Sequence, residues 1–267
     1  MILALVSILA TGIVHAGNRQ PAPSAPPVCP AGPIKLAFYE FGLLFDNGEG
    51  IDKDVIDELA KRTGCKFQSQ VQVRARIWSD LESGVLDMSV SGIRTPQRDS
   101  FAWFAPYLSI KNQAVLGAKA ANSVKSASDF VSRSDLVFGV VRSFKHGAEQ
   151  DLLIQILREQ GRVVESPDVV TLFQKLKSGR IDAIFSQQPV YTKYLKDFGI
   201  ETTTIVQDWT PGEKGVPHGL ILAKSRFPEL EAKKWQAIVQ EMRSDGTLRK
   251  IFQRRLTAKL VEQLLEF

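Results

Sequence analysis

Short apolar runs alternate with amphipathic stretches along most of the chain, so the hydrophobic period switches repeatedly between that of a strand and that of a helix. Ile34 to Phe38 reads as the first strand. Asp52 then caps a helix whose positions Val55, Ile56, Leu59 and Ala60 share one face, and Thr63-Gly64 stops it. Lys66 to Val73 reads as a second strand, Leu81 to Ser83 as a helix end closed by Gly84, and Val85 to Val90 as a third strand. Ile110 to Gly117 is a strand leaving this first unit. The same alternation follows: strand Leu136 to Val141, helix Gly147 to Gln160, strand Val163-Val164, helix Val169 to Lys177, strand Ile181 to Phe185, helix Pro189 to Lys196. Thr202 to Val206 and His218 to Ala223 read as returning strands, and Glu229 to Arg243 as a long helix. Such alternation predicts an α/β protein with parallel sheets, whose ligands lie beyond the carboxyl ends of the strands. In the second half those ends carry Arg142-Ser143-Phe144 and Ser186-Gln187-Gln188. The final stretch carries Leu260, Val261, Leu264 and Leu265 at helical spacing, suited either to docking on the first unit or to a partner.

Composition adds limits. The chain has 267 residues, 44% hydrophobic and 24% charged, enough apolar side chains for two modest cores. Residues 1–16, MILALVSILATGIVHA, form an apolar run ending in a small-x-small pattern and predict a signal peptide, an uncleaved anchor being the alternative. Cys29 follows Pro27-Val28 and does not suit a lipid anchor, and residues 17–33 read as a mobile Pro-rich spacer. The charge of +5 is scattered among 29 acidic residues rather than gathered in runs, which excludes a nucleic-acid patch and favours attraction for an anionic solute or a membrane surface. His146 and His218 lack Cys or acidic partners at metal-ligand spacing, His15 falls in the leader, and no cofactor is expected. Cys29 precedes the first strand and Cys65 opens the second; if those strands are parallel neighbours the sulfurs share one sheet edge. A disulfide there is worth roughly 3 to 4 kcal/mol, free buried thiols being the alternative.

The densest chemistry lies between Leu81 and Tyr107. Ser91-Gly92 ends a strand and permits close approach of backbone to a ligand; Thr95-Pro96 opens a turn or short helix with Arg98 in its first turn. A cation is unfavourable there unless an anion neutralises both it and the free N–H groups. The loop Tyr39 to Phe45 is aromatic where a turn is normally polar, so Tyr39 and Phe45 are candidate pocket walls, with Phe41 and Phe45 as plain core the alternative. Arg74, Arg76 and Arg94 bring further positive charge, and one of them is expected at the ligand, Arg76 being the candidate.

Strand, Ser-Gly, Thr95-Pro96-Gln97-Arg98 and then the aromatic FAWFAPY resemble the core motif of the bacterial extracellular solute-binding proteins of family 3, the polar amino-acid-binding family. Gly50-Ile51-Asp52-Lys53-Asp54, Gly179-Arg180-Ile181-Asp182-Ala183 and Asp245-Gly246-Thr247 are similar to three further signatures of that family, in order, over about Ile34 to Leu256. The resemblance implies a periplasmic-binding-protein-like fold, two β-α-β lobes joined by two crossing strands. One lobe then comprises residues 34–116 and 216–267 and the other 117–215. It also implies a monomer in the periplasm that closes over a small anionic or zwitterionic solute and is read by the membrane permease of an ABC transporter. Arg98 matches the arginine that clamps the ligand's α-carboxylate. Gln187 falls where relatives carry an aspartate for the amino group, and Phe144 where many carry a small hydroxyl residue. The expected ligand set is thus Arg98, Ser91, Gly92, Arg142, Ser143, Phe144, Gln187, Glu40, Tyr39, Phe45 and Arg76, with Glu40 the acid available to an ammonium. Binding rather than catalysis is expected. The alternatives are an enzyme resembling cyclohexadienyl dehydratase, which needs an acid that Gln187 cannot supply, and a binding protein that signals rather than transports.

Overall fold

A computed structural model describes residues 26–267; the leader and most of the spacer expected from sequence lie outside them. In chain order the elements are β1 (Ile34–Phe38), α1 (Ile51–Thr63), β2 (Phe67–Val71), α2 (Arg74–Glu82), β3 (Met88–Gly92), a single 3-10 turn (Arg98–Ser100), β4 (Ala102–Ile110) and β5 (Asn112–Leu116). There follow α3 (Ala118–Ala121), α4 (Ala127–Ser132), β6 (Phe138–Val141), α5 (Ala148–Glu159), β7 (Val163–Ser166), α6 (Val169–Lys177), β8 (Ala183–Gln187), α7 (Gln188–Phe198) and β9 (Ile205–Gln207). The chain closes with β10 (Val216–Ala223), α8 (Glu229–Ser244), α9 (Thr247–Gln253) and α10 (Ala258–Leu265).

These elements build two five-stranded sheets, β2-β1-β3-β10-β4 and β7-β6-β8-β5-β9. In each, a parallel trio from β-α-β units is completed by antiparallel strands from elsewhere in the chain. Each sheet with its helices is one lobe. The chain crosses from the first sheet to the second between β4 and β5 through Lys111 alone, so residues 112–116, expected in the first lobe, pair in the second sheet, and it returns between β9 and β10. Lys111 Nζ lies 2.6 Å from Asp208 Oδ2, so the two connections are tied to each other.

In the first lobe, β1 pairs with β2 from Ile34 opposite Phe67, which sets Cys29 and Cys65 at one edge; their Cα atoms are 5.4 Å apart and the sulfurs are joined. Helix α1 ends at a left-handed Gly64 as its sequence predicts, but Asp52 is not its cap. Gly50 holds that position, and Asp52 is a wholly buried helical residue bonded to β3 and β4. The expected strand at Val85 starts three residues later, because Val85 is exposed and Asp87 turns inward to accept from the Lys35 amide at 2.9 Å. Strand β4 was not expected, because its residues were read only as the aromatic FAWFAPY part of the Arg98 motif. It is an edge strand, where a missing donor is tolerated, and Pro106 faces Gly219 beside a register shift in β10. The tail docks on the first lobe: α10 buries Val261 and Leu264 against β4 and α9, and Glu262 pairs with Arg249 at 3.0 Å.

Candidate functional site

The cleft between the lobes is walled on one side by the ends of β1, β3 and β10 and the start of α2. Beneath it, Asp52 accepts from Tyr107 Oη at 2.6 Å and from Ser91 Oγ at 2.8 Å, and Tyr107 Oη in turn accepts from the Ser91 amide at 2.9 Å. Those bonds hold Ser91 at φ 47°, a left-handed conformation costing on the order of 1 kcal/mol for a residue with a side chain. Burial pushes the Asp52 carboxyl up to about 7, although the Tyr107 and Ser91 bonds oppose the shift. The strained Ser91 aims its carbonyl at Arg74, which donates to the Val90 and Ser91 oxygens at 3.2 Å each. The Arg74 guanidinium also lies 4.3 Å from the Tyr39 ring centre and 4.6 Å from that of Trp78.

Arg98 stands on the 3-10 turn beside it. Its guanidinium packs 3.7 Å over Trp78 and donates to the Ile93 carbonyl at 2.8 Å. Its second arm crosses the cleft to the Ser143 carbonyl of the other lobe, also at 2.8 Å. Burial first, and the Arg74 charge second, pull Arg98 down to about 9; it remains a cation at neutral pH.

The second lobe contributes the loop after β6 and the end of β8. Ser143 is left-handed, φ 65°, which turns its carbonyl toward Arg98. Phe144 meets Tyr39 and Phe41 edge-on, with ring centres 5.9 and 5.8 Å apart. Gln187 is buried and donates to Asn112 Oδ1 at 2.6 Å, while Asn112 donates to the His146 carbonyl. The lobes also meet behind the aromatic cluster, where the Leu43 amide bonds Pro189 O at 3.0 Å and Lys193 pairs with Asp46 at 3.1 Å. Gly42, at φ 62°, makes this approach possible, since a Cβ there would sit 2.5 Å from the Val190 backbone.

Two chambers result. One, of about 20 Å³, lies among Tyr39, Phe41, Arg74, Arg98, Phe144, Gln187 and His218 and has room for about one water. The other, of about 320 Å³, shares Tyr39, Arg74 and Phe144 with the first and adds Glu40, Asp168 and the apolar Val71, Val73 and Val170. That volume falls within the range of small-molecule sites.

Residues 36–257 match the profile of the bacterial extracellular solute-binding proteins, family 3. The chain belongs to this family. Among curated proteins it is similar to a probable histidine-binding protein of Neisseria gonorrhoeae, 24% identical over 262 residues that cover 94% of this chain and 93% of that one. Among solved structures it is similar to an ancestral arginine-binding protein bound to arginine, at 26% identity and a TM-score of 0.69 over 85% of this chain and 99% of that one. It shares its fold with the arginine-, lysine-, histidine-binding protein ArtJ of Geobacillus stearothermophilus, at 20% identity and a TM-score of 0.71 over 87% and 99% of the two chains. Membership of a solute-binding family assigns the protein to binding rather than catalysis.

For a family 3 protein, the cleft gathers six of the residues predicted from sequence: Arg98, Ser91, Tyr39, Ser143, Phe144 and Gln187. Glu40 stands in the larger chamber, its carboxyl pushed up mainly by burial and accepting from the Asn47 amide at 3.3 Å. Four others lie elsewhere. Arg142 is exposed and pairs with Glu165 of the neighbouring strand at 3.3 Å. Arg76 is exposed and pairs with Asp80, one turn along the same helix, also at 3.3 Å. Phe45 is core, stacked on Phe38 with ring centres 4.4 Å apart. Gly92 permits close approach, but of its own sheet: a Cβ there would lie 2.3 Å from the Ile221 side chain on β10. The sequence reading preferred Arg76 to Arg74 and Arg94, and did not place Trp78 or His218 at the site. His218 is buried on the cleft floor with Nδ1 2.7 Å from Val216 O, and burial holds it near 4, so it is neutral beside the two arginines.

Proposed function

We propose that this protein captures a small carboxylate-bearing solute for an ABC importer, as a monomeric binding protein of the periplasm whose closed form is presented to the membrane permease. The observation that carries the reading is Arg98. A buried guanidinium of the first lobe, bonded among the described residues only to backbone carbonyls and stacked on Trp78, reaches the second lobe across the cleft. Exchange of the Ser143 carbonyl for a solute carboxylate gives Arg98 a charged partner and makes closure depend on the solute. Tyr39, Phe41 and Phe144 supply apolar walls, and the larger chamber takes the body of the ligand. The relatives named for histidine and arginine make amino acids the first candidates. A disulfide fits an oxidising compartment, in agreement with the leader predicted for residues 1–16. The enzymatic alternative has no support at position 187, where an amide bonded to Asn112 offers no acid.

Isothermal titration against amino acids and small organic acids tests the proposal: at least one carboxylate should bind, and Arg98→Ala should weaken it at least about thirtyfold. An unchanged isotherm for that variant would refute the assignment. Co-purification with a permease separates import from a purely sensory role.

A further inference from the structure

A clamp built on Arg98 needs one cation, yet the cleft holds two. Arg74 is 5% exposed and Arg98 8%, and both pack against the same Trp78 ring. Each is satisfied by backbone carbonyls and aromatic faces, and among the described residues neither has an acidic partner within the 4.0 Å of an ion pair. Asp52 acts on Arg74 from the protein interior, but its oxygens are taken by Ser91 and Tyr107, and burial disfavours its charge. Two neighbouring buried cations are costly, because desolvation and mutual repulsion add. A single carboxylate compensates one of them and leaves the other.

Arg74 also occupies a particular place: it lines both the small chamber around Arg98 and the larger one beside it. A solute seated on Arg98 therefore extends past Arg74 on its way into the larger space. Glu40 and Asp168 in that space are half-buried carboxyls already engaged, Glu40 with the Asn47 amide and Asp168 with the Thr171 amide at 2.7 Å as the cap of α6. Neither demands a cation in the way that the two buried guanidiniums demand anions.

We propose that the ligand carries two carboxylates, one held by Arg98 and the other by Arg74, which makes the protein selective for acidic amino acids or dicarboxylic acids. The inference rests on the carboxylate-binding reading and narrows it. The two sources share one chemistry, and the α-amino group distinguishes them.

Titration at one fixed ionic strength with L-glutamate, L-aspartate, glutarate and succinate, against L-glutamine, L-asparagine, L-arginine and L-histidine, tests it. The best diacid should bind at least about tenfold more tightly than its amide or than the basic amino acids. Preference for glutamate over glutarate assigns the amine-bearing class and the reverse the amine-free one; both support two-carboxylate recognition. Arg74→Met, with folding checked by its melting curve, should weaken the diacid at least about tenfold more than the amide, and Arg74→Lys should retain part of that discrimination because it retains the charge. If glutamine, arginine or histidine binds as tightly as every diacid, or if Arg74→Met weakens acid and amide by one common factor, the second carboxylate site is wrong while the Arg98 clamp stands. If none of these carboxylates binds, or Arg98→Ala changes nothing, the underlying reading fails and the inference falls with it.

Discussion

Arg74 and Arg98 reach the cleft from buried segments of the first lobe and pack on the face of Trp78; within that lobe Arg74 is fixed by two carbonyl bonds and Arg98 by one, to Ile93, its other bond crossing to Ser143. Ser143 to Lys145, facing them, ride on a loop of the second lobe in which Ser143 and Lys145 are exposed. Beneath the first wall runs the buried Asp52-Ser91-Tyr107 network, whereas the second offers amides, Gln187 and Asn112. Under the proposed solute capture, the difference gives the lobes different tasks. The first is organised before the solute arrives, so little ordering free energy is lost there on binding. On the proposed reading the second is the wall that adapts as the cleft closes.

The contrast is broken most directly at Arg98. Arg98→Ala should cost about 2 to 5 kcal/mol of binding, read by titration, with the melting temperature of the free protein nearly unchanged. Next, replacing Cys29 and Cys65 together by Ala should remove roughly 3 to 4 kcal/mol of stability, a fall of about 10 °C in melting temperature. Hydrogen exchange should place the loosening in β1 and β2 and leave β6 and β7 protected; equal loosening of both lobes would mean that they do not behave as separate units. His218 gives a smaller effect with a definite sign. Its folded pKa of about 4 lies below the ordinary value of 6.5, so its neutral form adds stability that is complete above pH 6.5 and lost as pH falls toward 4. Thermal melts across that window should show His218→Gln losing less stability on acidification than the parent, by roughly 3 kcal/mol. Smallest is Phe144→Ala on the adaptable wall, about 1 kcal/mol of binding from its edge contacts with Tyr39 and Phe41. Should it cost as much as Arg98→Ala, the division of labour is wrong.

Much of the fold was legible because its periodicity is strong: β1 and α6 fall on the residues read from the apolar pattern alone, and Gly64 ends α1 where expected. Strand β4 was hidden, because its residues were read only as part of the Arg98 motif, and its pairing at a sheet edge beside a bulge, which tolerates Pro106, is not visible in local pattern. In the candidate site, Arg98 was singled out by its turn together with the family motif, but the choice among Arg74, Arg76 and Arg94 could not be made. Arg74 and Arg76 stand two places apart on α2, so a rotation of that short helix decides which one is buried under Tyr39 and which is left to Asp80. Arg142 shows the same limit, since Glu165 reaches it only through the pairing of β6 with β7. Asp52 looked like a helix cap because its environment is made by strands 39 and 55 residues away in sequence.

The passage from β4 to β5 occupies one residue, Lys111. Side chains alternate along a strand, so one amino acid inserted at this joint would turn β5 over, exchanging the two packed faces that bury Ala114 and Leu116 on one side and Val115 on the other, and breaking its pairing with β8. Exchanges of residue type there are tolerable in a way that changes of length are not, and chimeras between such proteins should be spliced elsewhere.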